Sequence, residues 1–120
     1  MSRPFHVIVA EDDPLIAITL AEVLESCGYR VTVGRNGFDA LRTDEEDPAD
    51  LLVTDLRMPH FDGVTLLNRM KERRPELPIL VTTGYSEQLP AEEPGQIAVV
   101  QKPFTDDAIV RAARILLGEA

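Results

Sequence analysis

Short apolar runs alternate along this chain with longer stretches whose apolar residues recur at helical spacing. The runs His6 to Ala10, Tyr29 to Val33, Asp50 to Thr54, Ile79 to Thr82 and Ile97 to Val100 read as strands. Three of them are apolar almost without a break, as strands covered by helices on both faces should be. After the first, Ile16, Leu20, Val23, Leu24 and Cys27 fall on an i, i+4, i+7, i+8 stripe. Asp13 before Pro14 predicts an N-cap followed by proline at the first helical position, and Gly28 supplies the stop. A short helix is predicted from Gly37 to Arg42, started by Asn36, and another from Gly63 to Arg74, capped by Asp62 and ended by Pro75. The last runs from Asp106 to Leu117, with Ile109, Ala112, Ala113 and Leu116 on one face. Tyr85 to Gln96 carries Pro90, Pro94 and Gly95, so the fourth helix of the series can only be short or irregular. Few apolar anchors hold the segment from Thr83 to Gln96, and it is expected to be the mobile part of the molecule.

Strand–helix alternation requires parallel strands joined by right-handed crossovers. The predicted architecture is a doubly wound α/β sandwich with a five-stranded parallel sheet, flavodoxin-like, forming one domain over residues 1–120. In such sheets ligands sit beyond the carboxyl ends of the strands, where strand order reverses.

Composition narrows the function classes. The chain has 12 basic and 21 acidic residues, a net charge of −9, which argues against sequence-independent nucleic-acid binding. Much of the acidity lies in Asp44-Glu45-Glu46-Asp47 and Asp50, expected to be a solvated loop. No apolar run approaches the roughly 20 residues of a spanning helix, and the N-terminus lacks a signal-peptide layout. The single cysteine, Cys27, excludes a disulfide framework and a cysteine metal cluster, so the expected home is the cytoplasm. With no DNA-binding or catalytic segment after Ala120, a stand-alone module or a fragment of a larger protein is expected, monomeric or weakly dimeric, without membrane or nucleic-acid partners.

The strand ends carry the chemistry. The first ends in Glu11-Asp12-Asp13, the third in Asp55, the fourth in Thr83 and the fifth in Lys102-Pro103. Parallel strands bring all of these to one edge. Carboxylates crowded there repel one another unless a cation intervenes, and an oxygen-preferring Mg²⁺ fits that demand. Lys102 adds a second positive charge and Thr83 a hydroxyl donor. Together they suit a phosphoryl group attached to a carboxylate.

Four fragments at these strand ends resemble the response-regulator receiver family of bacterial two-component systems. They are Val7-Ile8-Val9-Ala10-Glu11-Asp12-Asp13, then Asp55-Leu56-Arg57-Met58-Pro59 with Asp62-Gly63, then Pro78-Ile79-Leu80-Val81-Thr82-Thr83-Gly84, and Gln101-Lys102-Pro103-Phe104. The resemblance covers essentially the whole chain. It implies that Asp55 is the phosphoacceptor, that Asp12 and Asp55 bind Mg²⁺ directly with Glu11 helping through water, and that the Arg57 backbone carbonyl is a further ligand. It implies that Thr83 and Lys102 hold phosphoryl oxygens, that Gly84 keeps the pocket open, and that the Lys102–Pro103 bond is cis. The donor would be a histidine kinase or phosphotransfer protein, and the output a conformational change read by a downstream protein. Asp13 is assigned to capping and not to metal.

Two departures stand out. Val99 occupies the position three before Lys102, where the family commonly carries a switch aromatic. The run Thr83-Gly84-Tyr85 resembles the alphaproteobacterial FAT GUY subgroup, associated with HWE-type histidine kinases, though Val81-Thr82 stands where that motif has Phe-Ala. A lone loop histidine such as His60 is most often only solvated. An aspartate-nucleophile phosphatase would want an acid two residues after Asp55, where Arg57 stands, and flavin binding would want a Gly/Ser/Thr-rich phosphate loop after the first strand. A pseudo-receiver that only docks partners would not need Asp12, Asp55, Thr83 and Lys102 together.

Overall fold

The computed structural model of the chain describes residues 4–56, 58, 63–84, 92–93 and 95–119. Its elements run β1 (His6–Ala10), α1 (Pro14–Glu25), β2 (Arg30–Gly34), α2 (Gly37–Glu46), β3 (Leu51–Asp55), α3 (Gly63–Arg73), β4 (Ile79–Thr83), β5 (Ile97–Gln101) and α4 (Asp106–Leu116). All strand pairs are parallel, in the order β2-β1-β3-β4-β5. This is the flavodoxin-like doubly wound sandwich expected from the alternation. The irregular fourth helix expected within 85–96 falls largely on residues outside those described, as do Asp62, the expected cap of α3, and His60.

The three central strands are buried along their whole length, whereas edge strands β2 and β5 are partly exposed. Side chains alternate across the sheet and build two cores. Ile8, Leu52, Ile79 and Val81 pack under α2 and α3 with Ala40, Leu66 and Met70. Val7, Val9, Leu51, Val53 and Leu80 pack under α1 and α4 with Leu20, Leu24, Ile109 and Ala113. Full burial of each leucine contributes about 1.5–3 kcal/mol relative to exposure.

Helix starts follow their capping residues. Asp13 Oδ1 accepts from the N–H groups of Leu15 (2.9 Å) and Ile16 (3.3 Å), with Pro14 opening α1. Asn36 caps α2 and Thr105 caps α4 through side-chain oxygens. Gly28, after α1, takes φ 89°, a conformation that side chains with a Cβ rarely adopt. Ile16, Val23 and Cys27 of the predicted α1 stripe are half-buried; Ala17, outside that stripe, joins Leu20 and Leu24 in full burial.

Two expectations need correction. The helix predicted to stop at Arg42 continues to Glu46, through residues expected to form a solvated loop. Asp44, one turn after buried Ala40, is itself fully buried. Its Oδ1 accepts from the Ala49 N–H (2.8 Å) and from Arg74 (2.6 Å), and Arg73 stands 3.5 Å from Oδ2. The arginines come from the end of α3 and the loop after it, so this acid ties α2 to that end of the neighbouring helix; Glu45, Glu46 and Asp50 are exposed, as expected. The second correction concerns the approach to β5. Glu93 and Ile97 exchange backbone hydrogen bonds, Gln96 donates to the carbonyls of Pro75 and Leu77, and Lys71 pairs with Glu93 at 2.9 Å. The end of the segment expected to be lightly held is therefore anchored.

Candidate functional site

Strand order reverses between β1 and β3, and the residues just beyond their ends face one cavity. Glu11, Asp12, Asp55, Gly84 and Lys102 line a cavity of about 440 Å³, with Asp13 and Ile16 at its α1 side. Each of Glu11, Asp12 and Asp55 offers a carboxylate oxygen within 4.8 Å of the others. Glu11 and Asp55 are buried while Asp12 is exposed, so the cluster opens to solvent on one side.

Lys102 reaches this cluster from β5. Its Nζ lies 3.2 Å from Glu11 Oε1 and 3.2 Å from Asp55 Oδ2. The Lys102 N–H donates to the Thr83 carbonyl at 2.7 Å, which extends the β4–β5 ladder and fixes the base of the side chain. The next peptide bond, Lys102–Pro103, is cis. Glu11 Oε2 accepts from the Asp13 N–H at 3.1 Å, so the residue that caps α1 with its side chain also holds Glu11 with its backbone.

The electrostatics follow from burial. Desolvation pushes Glu11 up to about 7, helped by the charge of Asp55 and opposed by the Asp13 N–H and by Lys102. Burial works against the charge of Lys102, but Glu11 and Asp55 outweigh it and hold the ammonium above its usual range. The site thus keeps a fixed cation over a carboxylate pair whose second member sheds its proton only near neutrality.

Thr83 is buried at the end of β4, in register with Gln101, and precedes Gly84 without itself lining the cavity. Gly84 lines the cavity and is open: a Cβ there would meet only the Lys102 Cβ, at 4.0 Å. Arg57, expected to offer a carbonyl, lies outside the described residues, as does Tyr85. Val99, in the place of an aromatic, packs half-buried against the α2/α3 core, and its N–H donates to Glu92 at 3.1 Å. Pattern reading passed over Thr82, a fully buried residue whose hydroxyl has no partner among the described residues. It was hidden inside a strand motif where threonine and valine look alike.

A family model for the response regulator receiver domain matches residues 7–114. The chain belongs to the response regulator receiver family. The receiver is 37% identical over 102 residues to the response regulator receiver protein CpdR of Brucella abortus (strain 2308), covering 82% of this chain and 85% of that protein. It is 29% identical over 113 residues to the transcriptional regulatory protein GlrR of Escherichia coli (strain K12), covering 92% of this chain but 26% of that protein. The chain therefore spans about a quarter of GlrR and most of CpdR. The crystal structure of a CheY-like receiver domain protein from Methanospirillum hungatei JF-1 shares the fold, with TM-score 0.88, 24% identity and coverage of 98% and 96% of the two chains. The match is to the family as a whole and carries no subgroup.

The donor set fits the divalent cation that the family implies. All its side-chain ligands are hard carboxylate oxygens, one face is open for water, and no nitrogen or sulfur ligand stands among the described candidates. Among the described residues, no helix is long and apolar enough to cross a membrane.

Proposed function

We propose that this receiver takes a phosphoryl group from a histidine kinase or phosphotransfer protein onto Asp55 and passes the change in charge to a protein partner in the cytoplasm. One observation carries the reading: Lys102 bridges Glu11 and Asp55 at 3.2 Å each, with the Asp12 carboxylate in the same cluster. An Asp55 oxygen attacks the phosphorus of a phosphohistidine; the P–O bond forms as the P–N bond breaks, and the imidazole leaves with the bonding pair. Lys102 holds developing negative charge on the phosphoryl oxygens, a preorganised cation that needs no rearrangement of water. Thr83 donates its hydroxyl to another phosphoryl oxygen, and Gly84 leaves the entry free. Glu11, Asp12 and Asp55, with the backbone carbonyl of Arg57, would hold Mg²⁺, which when bound neutralises phosphoryl charge.

The donor's approach is supported by a groove of about 390 Å³ that shares Glu11 and Asp12 with the cavity and continues along Ala17, Ile18, Ala21 and Val33. Leu15 and Ile18 stand 73% and 56% exposed on α1 beside it. An apolar surface continuous with the phosphorylation cavity suits a helix presenting the histidine. Intact-mass measurement after incubation with acetyl phosphate and Mg²⁺ tests the reading. Wild type should gain one phosphoryl group and Asp55→Asn none; no gain in wild type would mark a docking module instead.

A further inference from the structure

Strand β2 ends the sheet order, so one side of its backbone meets no other strand. Its ladder to β1 shows which groups are left over. The Arg30 N–H donates to the Phe5 carbonyl at 2.8 Å, and the Gly34 carbonyl accepts from the Glu11 N–H at 3.0 Å. In a parallel ladder alternate residues bond to the same neighbour, so Arg30, Thr32 and Gly34 serve β1 while Val31 and Val33 point outward. Among the described residues nothing bonds to the backbone of Val31 or Val33. Edge strands are usually guarded by a charge, a proline or a bulge. Here the middle of the edge is Val31, Thr32 and Val33, with Val33 43% exposed, and Arg30 is turned aside to Asp47 at 3.0 Å. A row of free backbone groups among β-branched side chains is a template for another strand.

We propose that the occupant is a second copy of this chain, its β2 paired antiparallel to the first about a two-fold axis at Thr32, perpendicular to the sheet. The strand is self-complementary in that register. Val31 exchanges N–H···O bonds with Val33 of the second copy, and Val33 with Val31 of the second copy, the isologous arrangement a two-fold demands. The same pairs set valine beside valine on the α1 face, where Val31 meets the core and Val33 lines the groove along α1. Charge agrees with this register. Helix α1 connects two parallel strands and so runs antiparallel to β2, which puts Glu25, at its end, level with the start of β2. Antiparallel pairing brings Arg35 of the second copy, just past the end of its β2, to that same level. Glu25 and Arg35 line one groove and hence share a face, and neither side chain has an ion-pair partner among the described residues. Arg35 of each copy therefore faces Glu25 of the other. The net charge of −9 repels a second copy at long range, so the pair is weak and forms at high concentration. Val33 also walls the groove given above to the donor, so pairing and donor docking exclude each other; the pairing itself does not rest on that reading.

Sedimentation equilibrium of the full chain at physiological ionic strength, from about 10 µM to about 1 mM, should show the mean mass rising toward that of two chains, the range in which a small contact associates. Val33→Pro removes an N–H that faces outward and spares the ladder to β1, so this variant should stay monomeric with unchanged far-ultraviolet circular dichroism. Arg35→Glu and Glu25→Arg should each weaken the pair about tenfold, because symmetry counts each change twice. The double variant carrying both should recover most of the loss. These exchanges leave the backbone alone and decide the matter if Val33→Pro does not fold. Wild type that stays monomeric to about 1 mM overturns the proposal and leaves the edge to an extended segment of another protein. Pairing by Val33→Pro as strong as that of wild type overturns it by placing the interface elsewhere, and so does a double variant that pairs no better than the singles.

Discussion

Replacing Lys102 by methionine removes the cation while keeping much of the aliphatic stem that crosses β4. At 3.2 Å from each of two carboxylates, and at an effective dielectric of about 20, each contact contributes about 5 kcal/mol before desolvation. Desolvation of the ammonium, and its partial exposure, reduce the net loss for the metal-free protein to about 3 kcal/mol at pH 8. For 120 residues that is a fall of about 12 °C in Tm. The loss must depend on pH through Glu11. Its carboxyl titrates at about 7 in the folded state against an ordinary 4.5, so its contribution to stability is fully present below pH 4.5 and disappears as pH rises through 7. Without Lys102 the folded value moves higher still, and at pH 5.5 Glu11 is neutral in the variant. Only the Asp55 carboxylate then loses its contact with Lys102, and the loss should shrink to about 1 kcal/mol. Urea melts of wild type and Lys102→Met in EDTA at pH 8 and pH 5.5 measure this directly. A loss equal at both pH values, or greater at pH 5.5, would refute the electrostatic account of the cluster.

Mg²⁺ should raise the Tm of wild type because it binds only the assembled carboxylates. In thermal-shift measurements Asp12→Ala should lose most of that response, whereas Asp13→Ala should keep it and lose a cap of about 1 kcal/mol; the reverse pattern would show that the acidic run is misassigned. Arg74→Met leaves buried Asp44 with Arg73 and one backbone N–H, and should cost about 2 kcal/mol, or about 8 °C, with phosphorylation by acetyl phosphate unchanged. Ile18→Lys should slow phosphotransfer from a cognate kinase at least about tenfold, as interface hot spots do, without slowing phosphorylation by acetyl phosphate. Equal slowing with both donors would place the damage in the site and not at the docking face.

Periodicity determined much of this protein because burial and covalent geometry act locally. Apolar runs bounded by Asp13-Pro14, Asn36 and Gly28 have few other ways to hide their side chains and satisfy their backbone, and parallel strands then carry Glu11, Asp12, Asp55, Thr83 and Lys102 to one edge. Tertiary structure decided what depends on partners distant in sequence. Asp44 looks like part of a charged loop until Arg74 and Ala49 arrive to pair with it, and only then can the helix bury it. Glu11 titrates near neutrality because of burial and the charge of Asp55, neither of which its neighbours in sequence supply. Register too is tertiary: β4 pairs Thr82 with Asp55, and a one-residue slip would turn every side chain of that strand to the other face.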